Sequence, residues 1–263
     1  MRHVPATHRR LIFIRHGRAS GADGRCIGHT DLSLAAEGAE QIRALCPLLS
    51  AIVIGPVQVA SSDLRRAMES AAILSAALGV DATLDSRLRE MYFGDWDGRT
   101  WADLEQSDGN RLRAWTDDWL NDAPPNGERL IGLSDRAVGW LDEVLARDDS
   151  GGRTIIVVSH AGWIRVAVSL LLDRALSRLF ELSIDHGHAT IIDIDGTGPQ
   201  LVAENVDASS ARYAGGGELC RSGTSAGAPT AGSRVTMSGQ SYTELRMSTR
   251  MTSSGEPAAT TLP

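Results

Sequence analysis

Short, continuous apolar runs alternate along this chain with segments in which apolar side chains recur at helical spacing. Residues 11–14 and 154–158 are uninterrupted runs rich in β-branched side chains, which is typical of strands buried on both faces. Further strands are predicted over 57–61, 190–194 and 200–203. Apolar periodicity predicts helices over these segments: 35–49, 64–74, 100–120, 130–145 and 163–172.

Such an alternation of strands and helices predicts an α/β fold, a three-layer α/β/α sandwich around a mostly parallel sheet. In folds of this type, ligands bind beyond the carboxyl ends of the strands. We therefore expect the residues that follow Ile14, Ala60 and Val158 to share one pocket.

The composition changes near Gly215, where large aliphatic residues give way to Gly, Ser, Thr, Ala and Pro. A segment of this composition buries too little apolar surface to offset the entropy cost of ordering it. We therefore predict a folded domain over 1–214 and a low-complexity, disordered tail over 215–263.

The chain contains arginine but no lysine. This excludes catalysis through a Schiff-base lysine and a phosphate-binding loop that uses a lysine. Arginine, by contrast, is well suited to bidentate binding of phosphate oxygens. The formal net charge of −7 argues against general nucleic-acid binding. The 3 cysteines are scattered and odd in number, so a disulfide framework is not expected.

No apolar run approaches the roughly 20 residues that a membrane span requires. The basic N-terminus resembles the start of a signal peptide, but the apolar run 11–14 ends at Arg15. That run is shorter than the roughly 7–15 residues of a secretory core. We expect a cytoplasmic protein with no membrane partner.

The three strand ends carry side chains that suit phosphoryl transfer. Arg15 and His16 follow the first strand, Arg65 and Arg66 follow the second, and His160 follows the strand over 154–158. Arginine and imidazole donors stabilise the charge on phosphoryl oxygens, and a neutral imidazole is a nucleophile near pH 7. Any one of these residues alone is better explained by a structural role, but together at three strand ends they indicate a phosphoryl-transfer site.

These residues also resemble the signature of a known family. The run Leu11-Ile12-Phe13-Ile14-Arg15-His16-Gly17 resembles the opening motif of the histidine phosphatase superfamily, the phosphoglycerate mutase-like proteins. The other matching blocks are, in order, Gly28-His29-Thr30-Asp31-Leu32-Ser33-Leu34, Glu37-Gly38 with Gln41, Ser62-x-Leu64-x-Arg66-Ala67, Leu88-x-Glu90-x-x-Phe93-Gly94 and Val158-Ser159-His160-x-Gly162. The resemblance covers about 11–207 and implies a phosphoglycerate mutase-like fold.

By this resemblance, His16 is the expected nucleophile and Glu90 the expected proton donor to the leaving oxygen. Arg15, Arg66 and His160 are the expected phosphate clamp, and the implied phosphatase needs no metal and no cofactor. The family often has a phosphate-contacting asparagine after the Arg-His-Gly motif, whereas this chain has Arg18-Ala19-Ser20 there. Arg18 and Ser20 are candidates to replace it. Further candidate substrate-binding residues are Gly28, Ala161 and Trp96.

Several stretches resemble the α-ribazole phosphatases, which act in cobalamin biosynthesis. They are Leu88-Arg89-Glu90-Met91-Tyr92-Phe93-Gly94-Asp95-Trp96, Ala114-Trp115-x-x-Asp118-Trp119, Pro125-Asn126-Gly127-Glu128 and Asp185-His186-Gly187. The implied substrate is α-ribazole 5′-phosphate or the corresponding cobalamin phosphate. The aromatic residues of these stretches either stack on a benzimidazole-like base or form a packed aromatic edge.

Three alternatives remain open at this point. The first is an isomerase of the phosphoglycerate mutase type, which the short segment between Glu90 and His160 disfavours. The second is a broad-specificity small-molecule phosphatase, and the third is a catalytically silent protein that only binds phosphorylated ligands. The expected partner is in each case a small phosphorylated molecule, and the sequence leaves a homodimer open.

Overall fold

The computed structural model describes residues 8–146 and 152–209, and the predicted tail over 215–263 lies outside the described residues. Within the described ranges the chain forms one sheet of six strands. The strands are β1 Arg9–Arg15, β2 Val57–Ser61, β3 Ala82–Leu84, β4 Arg153–Ser159, β5 Ala189–Asp195 and β6 Gly198–Val206. The α-helices are α1 Ala36–Ile52, α2 Arg65–Leu78, α3 Trp101–Asp117, α4 Leu130–Ala146 and α5 Ala161–Leu171.

The strands lie in the order β3-β2-β4-β1-β5-β6. The pairs β3–β2, β2–β4 and β4–β1 are parallel, and β5 and β6 continue the sheet in antiparallel pairing. The predicted sandwich with a mostly parallel sheet is therefore confirmed.

Alternating residues of the central strand β1 face opposite sides of the sheet. Leu11 and Phe13 of β1 belong to a buried cluster with α4 and α5, whereas Ile12 and Ile14 belong to one with α1 and α2. All seven residues of β4 are buried, because helices cover that strand on both sides. Continuous apolar runs are the expected result of such two-sided burial.

The register of the central strands determines which residues leave the sheet together. Arg15 pairs with Ser159 between β1 and β4, and Ser61 pairs with Val158 between β2 and β4. The next residues along each chain segment therefore emerge side by side at the carboxyl edge of the sheet.

Some elements differ from the sequence-based expectation. β3 is missed because it is a short edge strand with little apolar character, and three 3₁₀ helices, over 86–88, 94–96 and 176–181, carry no periodicity long enough to detect. Helix α5 begins two residues earlier than the predicted 163, so His160 is the residue immediately before its first turn. Helix α3 contains a break at Asp108, whose φ and ψ are not helical. In the described part of the chain, no helix is long and apolar enough to cross a membrane.

A close backbone approach fixes α1 against the loop that follows β1. A Cβ atom on Gly17 would overlap the Gly38 carbonyl oxygen, and a Cβ on Gly38 would overlap the Arg18 carbonyl oxygen. Because both clashes are with backbone, a side chain at either position cannot be accommodated by a rotamer change. The start of α1 therefore holds the turn that carries His16.

We expect Gly38→Ala to lower the free energy of unfolding by about 1–3 kcal/mol, the usual cost of overpacking a buried position. The matched control is Gly139→Ala in α4, where an added Cβ meets nothing within 4 Å. That substitution should stabilise the protein by up to about 1 kcal/mol, because alanine is the better helix former. Urea denaturation of both variants measures the two effects, and a stabilising Gly38→Ala would contradict the proposed backbone contact.

Candidate active site

The carboxyl edge of the sheet brings together the side chains that were predicted to share a pocket. The ring centroids of His16 and His160 are 4.9 Å apart, and Arg66 Nε lies 3.1 Å from His16 Nε2. The amide of His16 donates to the Ser159 carbonyl at 3.0 Å, which ties the loop after β1 to the end of β4. These residues, together with Arg15, form a buried cluster at one edge of the fold.

The hydrogen bonds of His16 identify its tautomer. Its Nδ1 atom lies 2.7 Å from the Gly17 carbonyl oxygen, which can only accept, so Nδ1 carries the proton. Its Nε2 atom faces a guanidinium N–H of Arg66, which can only donate, so Nε2 carries the lone pair. Burial, followed by the charge of Arg66, lowers the pKa of His16 well below its usual value. The ring is therefore neutral at pH 7 with its lone pair directed toward Arg66.

The guanidinium of Arg66 is fixed by two backbone carbonyls. Its Nη1 donates to Thr30 O at 2.9 Å, and its Nη2 donates to Gly28 O at 2.7 Å. The loop that presents these carbonyls is held in turn by Asp97, whose carboxylate accepts the amides of Gly28, His29 and Thr30 and the Thr30 hydroxyl. Asp97 thus positions Arg66 without touching it.

Two buried polar atoms beside His16 have no hydrogen-bond partner in the described part of the chain. They are Arg15 Nε and His160 Nδ1. Arg15 is otherwise held by a 2.7 Å bond from Nη1 to Ile184 O, and His160 Nε2 lies 2.9 Å from Ser62 Oγ. When the Ser62 hydroxyl donates to Nε2, Nδ1 carries the ring proton and is a donor without a partner among the described residues. Unpaired buried donors are costly, and an oxyanion placed between them would supply the missing acceptors.

Glu90 lies at the border between this cluster and a neighbouring cavity. Its Oε1 accepts the Met91 amide at 2.9 Å and its Oε2 accepts the Gly162 amide at 3.0 Å. A Cβ on Gly162 would overlap the Glu90 carboxylate, so a side chain there would displace that carboxylate from its present position. The Glu90 backbone carbonyl accepts from Arg136 Nη2 at 2.9 Å, which fixes the other end of the residue.

The cavity beside Glu90 has a volume of about 340 Å³ and an apolar, mainly aromatic wall. Its polar lining is confined to Glu90 and Arg165, and the cavity adjoins the His16 cluster through Glu90, Ala161 and Gly162. The Arg165 guanidinium lies 5.5 Å from the centre of the Phe180 ring. The apolar lining consists of Met91, Phe93, Trp101, Trp115, Trp119, Leu130, Leu133, Leu179 and Phe180.

The expected aromatic wall is only partly correct. Trp115 and Trp119 line the cavity, but Trp96 is fully buried in a cluster with Cys26 and Leu104. Its Nε1 donates to Asp108 at 2.8 Å, so no face of this indole is open to a ligand and its predicted substrate-binding role is wrong. Tyr92 is exposed and packs against His29, outside the cavity wall.

The other predicted substrate-binding residues have different positions. Ala161 borders the cavity. Both backbone polar groups of Gly28 are engaged, the amide with Asp97 and the carbonyl with Arg66, so Gly28 acts by holding the guanidinium. Ser20 is exposed, and its amide donates to Ser33 O at 2.8 Å. The Arg18 side chain forms ion pairs with Asp23 and Glu37.

Sequence reasoning missed Asp97, and it identified His186 only as part of a matching stretch, without a role in the site. Asp97 binds backbone amides, so its contribution leaves no recognisable pattern of side chains. His186 lies in the turn before β5, with its ring centroid 5.3 Å from that of His16. In the sequence, the only indication of His186 is that it lies within the matching stretch Asp185-His186-Gly187. Among the described residues, no group of three or more His, Cys, Asp or Glu side chains could hold a metal ion.

Comparisons with known proteins find similar sequences and a similar structure. A family model described as the histidine phosphatase superfamily (branch 1) matches residues 11–207. The adenosylcobalamin/alpha-ribazole phosphatase of Escherichia coli is 32% identical over 189 residues, covering 71% of this chain and 90% of that protein. The glucosyl-3-phosphoglycerate phosphatase of Mycolicibacterium vanbaalenii is 33% identical over 172 residues, covering 62% of this chain and 74% of that protein. The crystal structure of a putative alpha-ribazole-5′-P phosphatase from Escherichia coli matches with a TM-score of 0.66 and 30% identity, over 75% of this chain and 96% of that one.

We expect Asp97→Asn to lower the free energy of unfolding by about 1–3 kcal/mol at pH 7, because an amide nitrogen would face backbone donors. Burial alone would raise the pKa of Asp97, but the hydrogen bonds from Thr30, His29 and Gly28 outweigh it, and the pKa is lowered. A carboxyl whose folded-state pKa is depressed stabilises the fold above its unfolded pKa of about 3.9, and that stabilisation is lost on acidification. The difference between wild type and variant should therefore shrink below about pH 4.

Urea denaturation at pH 7 and at stepwise lower pH measures this difference. The matched control is Asp95→Asn in the 3₁₀ helix that immediately precedes Asp97; Asp95 is an exposed carboxylate that accepts from the Asn126 side chain. It should change stability by less than about 0.5 kcal/mol. Equal losses in both variants would show that Asp97 has no special place in the loop.

Proposed function

The chain belongs to the histidine phosphatase superfamily, and from that premise we propose that it dephosphorylates α-ribazole 5′-phosphate or the corresponding cobalamin phosphate. In this proposal the phosphoryl group moves first to His16 and then to water. The observation that carries the substrate assignment is the apolar, aromatic-walled cavity beside Glu90. The reaction is that of a phosphatase, as the names of its relatives indicate for those proteins.

His16 Nε2 is the proposed nucleophile because it carries the lone pair of a neutral, buried ring. The N–H of Arg66 that faces this lone pair lies beside the reacting atom, where it would donate to a phosphoryl oxygen once phosphorus is bound to Nε2. When the N–P bond forms, the ring becomes cationic. The Gly17 carbonyl, already bonded to Nδ1–H, stabilises that charge.

The phosphoryl oxygens would be bound by donors that the fold already holds in position. Arg66 is fixed by its two carbonyl contacts, and Arg15 Nε and His160 Nδ1 are the buried atoms without partners. Because these donors need not reorganise during the reaction, they stabilise the charge of the transition state efficiently. Burial lowers the pKa of Arg15, but an arginine remains protonated in a protein.

Glu90 is the proposed general acid because it lies where the nucleophile cluster meets the cavity. In the first step its carboxyl proton passes to the ester oxygen as the P–O bond breaks, so the leaving group departs as an alcohol. In the second step the Glu90 carboxylate takes a proton from the attacking water while the N–P bond breaks. His16 then returns to its neutral form, and inorganic phosphate is released.

The cavity wall supports a flat, apolar leaving group. An aromatic base can stack against Trp115 and Trp119, and the remaining wall is nearly free of polar groups. A sugar acid would bury several hydroxyls in such a cavity with few partners, and unpaired polar groups are costly. The α-ribazole portion therefore fits better than a glucosyl phosphoglycerate.

A second candidate function is the dephosphorylation of glucosyl-3-phosphoglycerate, and one observation favours it. Arg165 borders the cavity and has no carboxylate partner among the described residues. Its Nε donates to Leu182 O at 3.0 Å, so its charge is available to a substrate carboxylate. A broad-specificity phosphatase and a mutase-type isomerase use the same phosphohistidine and differ only in what the cavity retains.

We expect Glu90→Gln to slow alkyl phosphate hydrolysis by roughly 10²–10⁴-fold, the usual contribution of a general acid. Nitrophenyl phosphate should be slowed far less in its first step, because nitrophenolate leaves without protonation. Burst and steady-state kinetics on both esters separate phosphorylation from dephosphorylation. The comparison is internal to one variant, so any structural disturbance would affect both esters equally. Equal slowing of the first step would contradict the assignment of Glu90, and His16→Ala, expected to be inactive, is the negative control.

Substrate choice is tested by kcat/KM for α-ribazole 5′-phosphate, glucosyl-3-phosphoglycerate, 3-phosphoglycerate and nitrophenyl phosphate, with a chelator present. We expect a preference for the ribazole phosphate. Trp119→Ala should reduce that preference roughly tenfold, equivalent to about 1.4 kcal/mol of lost aromatic contact.

The matched control is Tyr92→Ala, an exposed aromatic residue that does not line the cavity. It should leave the order of substrates unchanged. A preference for glucosyl-3-phosphoglycerate that Arg165→Gln removes would establish the second candidate function instead. Equal, weak activity on all four esters would leave a phosphatase of broad specificity, and isomerisation of 3-phosphoglycerate would indicate a mutase.

A further inference from the structure

The turn that carries His186 is bonded directly to the segment that carries the nucleophile. The Gly187 amide donates to the Arg15 carbonyl at 3.0 Å, and the Arg15 amide donates to the His188 carbonyl at 3.2 Å. On its other side, the Asn205 side chain accepts the Asp185 amide and donates to the Asp185 carboxylate, each at 2.8 Å. The position of His186 relative to His16 is therefore fixed by the sheet and by the contacts of Asn205 with Asp185.

The imidazole of His186 forms no hydrogen bond within the described ranges. It is half-buried, and its ring is tilted by 57° to that of His16. Packing alone does not explain a histidine here, because an apolar ring would fill the same space without desolvating two nitrogens. Burial, followed by the charges of Arg15 and Arg18, lowers its pKa to about 4. The ring is thus neutral at pH 7, with one N–H donor to offer.

In the loop after His16, the amides of Arg18 and Ser20 and the Arg18 guanidinium are already engaged. The Arg18 amide donates to Gln41 at 3.0 Å, and its guanidinium is paired with Asp23 and Glu37. The Ser20 amide donates to Ser33. A phosphoryl group on His16 has three non-bridging oxygens, and the donors identified so far lie on Arg15, Arg66 and His160. His186 flanks His16 as His160 does, at a similar ring distance of 5.3 Å.

We propose that His186 is a phosphate-binding residue of this site, whose neutral imidazole donates an N–H to a non-bridging oxygen of the phosphoryl group. The proposal rests on the proposed phosphohistidine function, because it assigns a role toward the group that His16 receives. His186 acts on both the ester and the phosphohistidine, so its contribution does not depend on the leaving group. The neighbouring His188 does not share this role, since its Nδ1 lies 3.1 Å from the His186 carbonyl oxygen.

The first test compares four substitutions at this position, with inorganic phosphate and nitrophenyl phosphate as probes. His186→Ala and His186→Phe remove the donor, and the phenylalanine keeps the ring packing. Both should raise the inhibition constant of inorganic phosphate and lower kcat/KM by roughly 10- to 100-fold, the range for a hydrogen bond to a charged group. His186→Asn and His186→Gln return an N–H near Nδ1 and Nε2 respectively, so one of them should recover most of the loss.

The matched control is His188→Ala, which disturbs the same turn but leaves every proposed phosphate donor in place. It should leave the inhibition constant of phosphate unchanged. If His186→Phe and His186→Ala bind phosphate as well as wild type does, the role assigned to His186 is wrong. If His188→Ala weakens phosphate binding as much as they do, the turn rather than the donor is responsible, and the proposal is likewise overturned.

The second test uses the wild-type protein, so its result does not depend on whether a variant folds. In ¹⁵N-histidine-labelled wild-type protein, saturating inorganic phosphate should shift the His186 ring signals and raise the pKa of His186 above its free value of about 4. Ring signals that do not respond to phosphate would overturn the assignment. Failure of the underlying function has a different signature: His16→Ala would then retain turnover, or the wild type would release no phosphate from nitrophenyl phosphate.

Discussion

The contact between Arg66 Nε and His16 Nε2 is the interaction on which the rest of the site depends. It sets the tautomer of the proposed nucleophile and, with burial, keeps that ring neutral beside fixed positive charge. The guanidinium can hold this position only because the Gly28 and Thr30 carbonyls face it, and those carbonyls face it because Asp97 collects the amides of the same loop. A carboxylate that never reaches the nucleophile thus positions, through backbone geometry, the guanidinium that faces it.

Cationic and neutral donors outnumber acceptors in this cluster. Arg15, Arg66 and Arg165 lie close enough to Glu90 for its charge to raise the pKa of each, but burial outweighs that effect and the pKa of each is lowered. Such an excess of buried positive charge is unfavourable until an anion enters. The fold tolerates this unfavourable electrostatic energy because the position of the strand ends is set by the sheet and not by the site. A bound phosphoryl group would offset this positive charge.

Much of this arrangement could be predicted from the sequence, for identifiable reasons. The runs over 11–14 and 154–158 predict strands because burial on both faces removes the alternation that would otherwise blur the pattern. The convergence of His16, Arg66 and His160 follows from the rule for carboxyl ends of parallel strands. Asp97 could not be predicted, because its partners are amides roughly 70 positions away that are common to every residue type. The inward orientation of Trp96 was likewise undetermined, since a short 3₁₀ segment has no period to show which side faces the core.

Binding of the phosphoryl group and choice of the leaving group are carried by different parts of the fold. The proposed phosphate donors lie at the ends of β1 and β4, in the first turn of α2 and in the turn before β5, where contacts with backbone carbonyls and amides hold them. The cavity wall comes instead from helices α3, α4 and α5, from the 3₁₀ helix over 176–181 and from loop residues, among them Met91 and Phe93. Residues in that wall can change without moving the strand ends, because no strand contributes to it. Relatives of about 30% identity carry the names of phosphatases for different esters, as such a separation would allow. It also means that Glu90 and Gly162, where the two parts touch, are the positions at which a change in leaving group must remain compatible with the chemistry.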